Sequence, residues 1–128
     1  MPTRKHRTDT KSNRCIIAVE GWITPRTLYD LDGDKNVVSK SAFSTDVAYP
    51  GYDQLVTEEV EVKGHDGTMI PLSLIFRKGT KLDGSHPTLL SGYGAYSITI
   101  DPYFTPLWIA WIEQGGVIAF AHVRGGGE

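Results

Sequence analysis

The sequence is poor in several residues and patterns that mark common classes of protein. It has a single cysteine, Cys15, among 128 residues, which excludes an internal disulfide framework and a multi-cysteine zinc site. Its longest unbroken apolar run, residues 107–112, is far shorter than the roughly 20 residues that span a bilayer. The net charge of −2 argues against a dedicated nucleic-acid binder. We therefore expect neither a membrane nor a nucleic acid as a partner.

Familiar catalytic and metal-binding motifs are also missing. The four histidines form no H-E-x-x-H pattern, and no serine lies within G-x-S-x-G. Residues 30–34 begin like a calcium loop, but Lys35 and Ser41 stand where that loop needs glycine and glutamate. The glycines around Tyr93 lack the third glycine of a dinucleotide fingerprint. The sequence predicts no metal site and no cofactor.

The basic residues are concentrated at the N-terminus. Residues 1–14 contain five lysines and arginines against one acid, Asp9. No apolar stretch of signal-peptide length follows, so a secretory signal is not expected and the chain is expected in the cytoplasm. We predict that residues 1–14 are a disordered basic terminus.

The next part of the chain has a β texture. Residues 15–38 predict a hairpin or meander, with a turn at 32–34 before Val37 and Val38. Two or three short strands are not stable alone and must belong to a larger sheet. Residues 39–55 have little periodicity and predict a linker or a long connection.

The pattern changes from residue 56. Residues 56–63 alternate as a half-exposed strand, 65–68 form a tight turn, and 69–76 return as a second strand. A polar loop over 77–86 leads to a short buried strand at 88–90.

A helix is predicted over residues 105–115. Thr105 can cap it, Pro106 suits its first position and Gly115 its end. Its apolar face is predicted to hold Leu107, Trp108, Trp111 and Ile112. The apolar run 117–123 then suits a strand covered on both faces, so residues 88–123 predict one βαβ unit.

A glycine-rich turn with two tyrosines, residues 91–96, follows the predicted strand at 88–90. In open α/β sheets, sites lie outside the carboxyl ends of strands, where a tyrosine hydroxyl could donate to a developing oxyanion. The alternative is a β-turn whose tyrosines pack over a sheet edge. The residues alone leave both interpretations open.

Three motifs occur in order along the chain: H-D-G-T at 65–68 with I-P-L at 70–72, H-P-T-L-L-S-G-Y-G at 86–94, and G-G-V at 115–117 with A-H-V-R-G-G-G-E at 121–128. Together they resemble the motifs of the prolyl oligopeptidase family of serine peptidases. The resemblance is close over 56–128 and looser over 15–55. It implies an α/β fold: the N-terminal part of an α/β-hydrolase domain (56–128), preceded by the end of a β-propeller domain and a linker (15–55).

The resemblance also implies roles for individual residues. Members cleave short peptides through a Ser-Asp-His triad and need no cofactor. The tyrosine of their G-Y-G motif supplies an oxyanion-hole hydroxyl, which corresponds to Tyr93. The aromatic residue three positions later, here Tyr96, lines the pocket for the side chain before the scissile bond. The residues expected to support the site structurally are Gly92, Gly94, Arg124, Gly125, Gly126 and Gly127.

The triad itself lies downstream of R-G-G-G-E in the family, so the 128 residues are expected to be an inactive fragment of a peptidase. Cleavage after proline is the preferred specificity. Oligopeptidase B-like cleavage after lysine or arginine is one alternative, and a non-catalytic truncated remnant is another. The oligomeric state stays open.

Overall fold

The computed structural model describes residues 3–6 and 12–126. The chain divides into two compact units. The first comprises Met1–Ala48 with Pro102–Phe104, and the second comprises Tyr49–Asp101 with Thr105–Glu128. Each unit contains one four-stranded sheet.

The sheet of the first unit is an antiparallel meander in the order β1-β2-β3-β4. The meander predicted over 15–38 is confirmed. At the turn after β3, Asp32 Oδ1 accepts a hydrogen bond from Lys35 N at 3.2 Å, and Oδ2 lies 3.1 Å from Arg14 Nη2. The Asp32 carboxylate, which lies in the calcium-like sequence, therefore stabilises the turn. The strands are β1 (Thr3–His6), β2 (Arg14–Gly21), β3 (Thr24–Asp32) and β4 (Val37–Lys40).

The prediction that residues 1–14 are disordered is wrong for Thr3–His6. These residues form β1, which pairs antiparallel with residues 16–19 of β2. The physical reason is that an open strand edge presents unpaired backbone groups that a further strand can satisfy. Arg14 begins β2, and residues 1–2 and 7–11 lie outside the described part of the chain.

The core of the first unit includes residues from a distant loop. Ala18 and Trp22 are buried, and the ring of Trp22 lies 5.9 Å from that of Tyr103 at a tilted angle. Glu20 Oε1 accepts a hydrogen bond from Phe104 N at 3.2 Å. These contacts explain why residues 102–104 belong to the first unit.

The second unit has a mixed sheet in the order β5-β6-β8-β7. The β5–β6 and β6–β8 pairs are antiparallel, whereas β7 and β8 are parallel and connected through α1. The βαβ unit predicted over 88–123 is confirmed. The elements are β5 (Leu55–Lys63), β6 (Met69–Arg77), β7 (Thr88–Gly92), α1 (Leu107–Glu113) and β8 (Val117–Ala121), with a short 3-10 helix at Tyr52–Gln54.

Strand β8 lies at the centre of this unit's core. Val117 and Ala119 pack with Leu74 and other apolar residues of β6 on one face of the sheet. On the other face, Phe120 contacts Trp108 of α1, with ring centroids 5.6 Å apart. Its coverage on both faces agrees with the apolar run in the sequence.

Helix α1 begins and ends near the predicted positions, and of its predicted apolar face Trp108 and Ile112 are buried and Trp111 is half-buried. Thr105 Oγ1 accepts a hydrogen bond from Leu107 N at 3.4 Å, and Gly115 adopts a φ of +85° just beyond the helix. The buried side chains are Trp108, Ile109 and Ile112, whereas Leu107 is 79% exposed. The prediction for Leu107 is wrong because it lies roughly 150° around the helix from the centre of that face.

The prediction that residues 88–90 form a buried strand is wrong in its burial. Strand β7 forms, but Leu89 and Leu90 are 52% and 66% exposed. Among the described residues only β8 pairs with β7, which therefore lies at the edge of the sheet.

Candidate active-site region

The β5–β6 turn supplies the first structural element of the site. Gly67 adopts a φ of +88°, and its N–H donates to Gly64 O at 3.0 Å. Asp66 Oδ1 accepts a hydrogen bond from Thr68 N at 3.1 Å. The predicted tight turn over 65–68 is confirmed, and it fixes the direction of the Asp66 carboxylate.

Tyr93 comes directly after the carboxyl end of β7 and is 44% exposed. It lines a cavity of about 540 Å³. The walls come from the start of β6, the loop after Tyr93 and the segment after β8, and they include Thr68, Ile98, His122, Arg124 and Gly126. The cavity therefore brings all three sequence motifs to one place.

The turn after β7 and the segment after β8 are in close backbone contact. A β-carbon at Gly94 would overlap Arg124 O, and a β-carbon at Gly125 would overlap Gly94 O. Gly125 also has a φ of +93°. Glycine is needed at both positions because a side chain at either one would separate the two segments.

The remaining glycines predicted to support the site differ in their surroundings. A β-carbon at Gly126 would lie 2.6 Å from Ile98 O, whereas one at Gly92 would make ordinary contacts, the nearest at 3.4 Å. Gly127 lies outside the described residues.

Arg124 forms an ion pair with Asp66, with Nη2 and Oδ2 2.7 Å apart. Two hydrogen bonds lower the pKa of the Asp66 carboxyl below its usual value of 3.8. The bond from Thr68 N has the larger effect, and the bond from Arg124 has the next largest. Sequence reasoning identified Arg124 but missed Asp66. The available signal was the opposite charge of two residues in separate motifs of the resemblance.

Tyr96 does not line the cavity beside Tyr93. It is 88% exposed and has a φ of +54°, as does Ser97. The loop turns here through a hydrogen bond from Ile98 N to Ala95 O at 3.1 Å. The two predicted tyrosines thus lie in one loop but are not brought into one cavity.

A serine and a histidine are paired elsewhere in the second unit. Ser73 Oγ and His122 Nε2 are 2.7 Å apart, a distance typical of a nucleophile and its base. Ser73 is only 1% exposed, however, so a substrate carbonyl has no access to its hydroxyl. His122 N also donates to Pro71 O at 2.9 Å. The pair therefore joins the end of β8 to β6 and is not a catalytic dyad.

Two further classes of site are absent from the described part of the chain. Residues 3–6 and 12–126 contain no group of three or more His, Cys, Asp or Glu side chains placed to hold a metal ion. None of their helices is long and apolar enough to cross a membrane.

The chain was compared with known proteins, and no family model matches it. A prolyl endopeptidase of Elizabethkingia meningoseptica is 34% identical over 110 residues, which cover 84% of this chain and 15% of that protein. The structure of prolyl oligopeptidase B from Galerina marginata, bound to a 35-residue substrate, superposes with a TM-score of 0.86 at 26% identity. That match covers 98% of this chain and 18% of the neighbour.

The chain belongs to the prolyl oligopeptidase family. The family resemblance seen in the three motifs is thereby confirmed. Oligopeptidase B from Trypanosoma brucei is a further structural neighbour, with a TM-score of 0.79 at 29% identity over 91% of this chain and 16% of the neighbour. The prolyl oligopeptidase neighbours combine a β-propeller with an α/β-hydrolase domain. The chain spans less than a fifth of the length of these relatives.

Proposed function

We propose that the chain is part of a serine oligopeptidase that hydrolyses short peptides after proline. Membership of the prolyl oligopeptidase family supports the reaction class. The observation that carries the proposal is the position of Tyr93 at the carboxyl end of β7, in a cavity with Arg124. Sites in open α/β sheets lie outside the carboxyl ends of strands.

The two units correspond, in this proposal, to two domains of the full-length protein. The first unit would supply the last strands of the β-propeller, and the second would begin the α/β-hydrolase domain. The antiparallel meander of β1–β4 and the parallel β7–α1–β8 crossover are consistent with those architectures.

Tyr93 would act as an oxyanion-hole donor during acyl transfer. A serine Oγ attacks the carbonyl carbon of the scissile bond and transfers its proton to a histidine. The Tyr93 hydroxyl donates to the oxyanion of the tetrahedral intermediate. The C–N bond then breaks, the amine leaves with the proton, and water hydrolyses the acyl-enzyme. The triad would come from outside these 128 residues, which contain no G-x-S-x-G.

Tyr96 would line the pocket for the residue before the scissile bond. Tyr96 is 88% exposed and therefore available for contact with a substrate. An aromatic ring can stack on the ring of a proline side chain, which favours post-proline cleavage.

Oligopeptidase B-like cleavage after lysine or arginine is the second candidate. The Trypanosoma brucei oligopeptidase B neighbour favours it. Assays of the full-length peptidase, expressed from the coding sequence that contains this segment, decide between the two. We expect turnover of prolyl reporter peptides that a serine-directed inhibitor abolishes. Turnover of arginyl reporters alone would reverse the specificity.

The isolated 128-residue chain provides a separate test of where the triad lies. We expect no peptidase activity from it, because an oxyanion donor without a nucleophile has no reaction to accelerate. Inhibitor-sensitive turnover by the purified chain would contradict this. If the coding sequence had a stop codon directly after Glu128, the alternative of a non-catalytic remnant would be correct.

A further inference from the structure

We propose that the ion pair between Asp66 and Arg124 is a positioning device that holds the Tyr93 hydroxyl in place for the oxyanion. This inference rests on the proposed role of Tyr93. In this proposal neither Asp66 nor Arg124 contacts the reacting atoms. Both act through the backbone of the turn that carries Tyr93.

The Asp66 carboxylate joins two separate segments. Its Oδ1 accepts from Thr68 N at 3.1 Å within the β5–β6 turn, and its Oδ2 lies 2.7 Å from Arg124 Nη2. One carboxylate therefore connects that turn to the segment after β8. Since both oxygens are used, its direction is fixed from two sides.

Backbone contacts connect Arg124 to the turn that carries Tyr93. Arg124 O occupies the space that a β-carbon on Gly94 would need, and Gly94 O occupies the space that a β-carbon on Gly125 would need. Gly94 is the next residue after Tyr93. A shift of the segment after β8 is therefore transmitted to the turn that orients the tyrosine, because there is no free space between the two backbones.

The ion pair is partly exposed to solvent. The side chains of Arg124 and Asp66 are 58% and 35% exposed. Exposed ion pairs contribute little to global stability. The structural effect of this pair is thus local, and positioning can be separated experimentally from stability.

The test uses the full-length peptidase and measures kcat and KM per active site, titrated with a serine-directed fluorophosphonate. We expect Asp66→Asn and Arg124→Gln to lower kcat by about 5- to 50-fold with little change in KM, since oxyanion contacts act in the transition state. Arg124→Lys should retain most of kcat, because the contact with Asp66 uses a single donor atom.

Asp83→Asn is the matched control. Asp83 Oδ1 accepts from Ser85 N at 3.0 Å, two residues on, as Asp66 does from Thr68. Asp83 lies in the polar loop away from the cavity that holds Tyr93. We expect its kcat to match that of the unmodified enzyme, so an effect specific to Asp66 reflects the ion pair and not loss of an Asx turn.

A double-mutant cycle with Tyr93→Phe separates positioning from a general structural role. If Asp66 acts through Tyr93, Asp66→Asn has no further effect on kcat once the hydroxyl is removed. An equal effect in both backgrounds, or none in either, overturns this inference. If Tyr93→Phe itself leaves kcat unchanged, the proposed role of Tyr93 fails. If the unmodified enzyme hydrolyses no peptide, the proposed function fails and this inference falls with it.

Discussion

The carbonyl oxygen of Arg124 occupies the space that a β-carbon at Gly94 would need. This contact joins the G-Y-G motif to the R-G-G-G-E motif, which are separated in the sequence by α1 and β8. The two glycine-rich segments are therefore one structural unit, and residues that fix one of them also fix the other.

Gly94→Ala should destabilise the full-length peptidase by roughly 1–3 kcal/mol, since a methyl group must displace backbone atoms that have little room to move. Gly92→Ala is the control, because a β-carbon there meets its nearest neighbour at 3.4 Å. Thermal unfolding of both variants measures the difference. Equal melting temperatures would contradict the close approach described here.

Ile112→Ala should cost about 2–5 kcal/mol of the free energy of unfolding, as is usual for a fully buried aliphatic side chain. Ile112 is 2% exposed on the face of α1 that packs against β8. Leu107→Ala, on the opposite side, is expected within about 0.5 kcal/mol of the unmodified protein. Urea unfolding compares the two, and a larger loss for Leu107→Ala would mean that the helix buries the other face.

Asp66→Asn should lower stability by only a small amount at neutral pH, because the ion pair is exposed, and not at all in strong acid. The hydrogen bonds from Thr68 and Arg124 lower the pKa of Asp66 below 3.8, so the folded state binds its proton less tightly than the unfolded state. The stabilisation is complete above 3.8 and disappears as pH falls through the lower folded-state pKa. Paired thermal scans of the variant and the unmodified protein between roughly pH 3 and pH 6, a range that brackets the usual pKa of an aspartate, measure this stability difference. A difference between variant and unmodified protein that stays constant with pH would be inconsistent with this cause.

A fluorophosphonate probe should label a serine of the full-length peptidase outside residues 1–128. Ser73 is buried, and its hydroxyl is engaged in the hydrogen bond with His122. Mass spectrometry of the labelled peptide identifies the site, and Ser73→Ala should label to the same extent. A probe adduct on Ser73 would show that the pair is a catalytic dyad after all.

Local signals in the sequence predicted much of the fold. Gly67 and Gly115 marked turns that need a positive φ, and the alternation of β5 and the apolar run of β8 indicated their environments. The failures have tertiary causes. Leu89 and Leu90 are apolar yet exposed, because burial depends on what lies beyond the sheet edge and not on the strand's own residues.

The site was predictable only in part for the same reason. Tyr93 lies in a compact motif that can be recognised in isolation. Its neighbour Arg124 could be identified as a supporting residue, but the pairing with Asp66 depends on how three strands and a crossover bring distant segments together. The order of residue types along the chain does not indicate how close the Asp66 and Arg124 side chains lie in the folded structure.

The kcat of Tyr93→Phe in the full-length peptidase decides whether the Tyr93 hydroxyl stabilises the oxyanion. Phenylalanine keeps the ring and removes only the hydroxyl proposed to bind the oxyanion. We expect a fall in kcat of about 10²–10³ for a prolyl reporter peptide, with little change in KM. Labelling of the active-site serine by a fluorophosphonate should persist. An unchanged kcat would rule out the proposed role, because Tyr93 would then contribute nothing to the transition state.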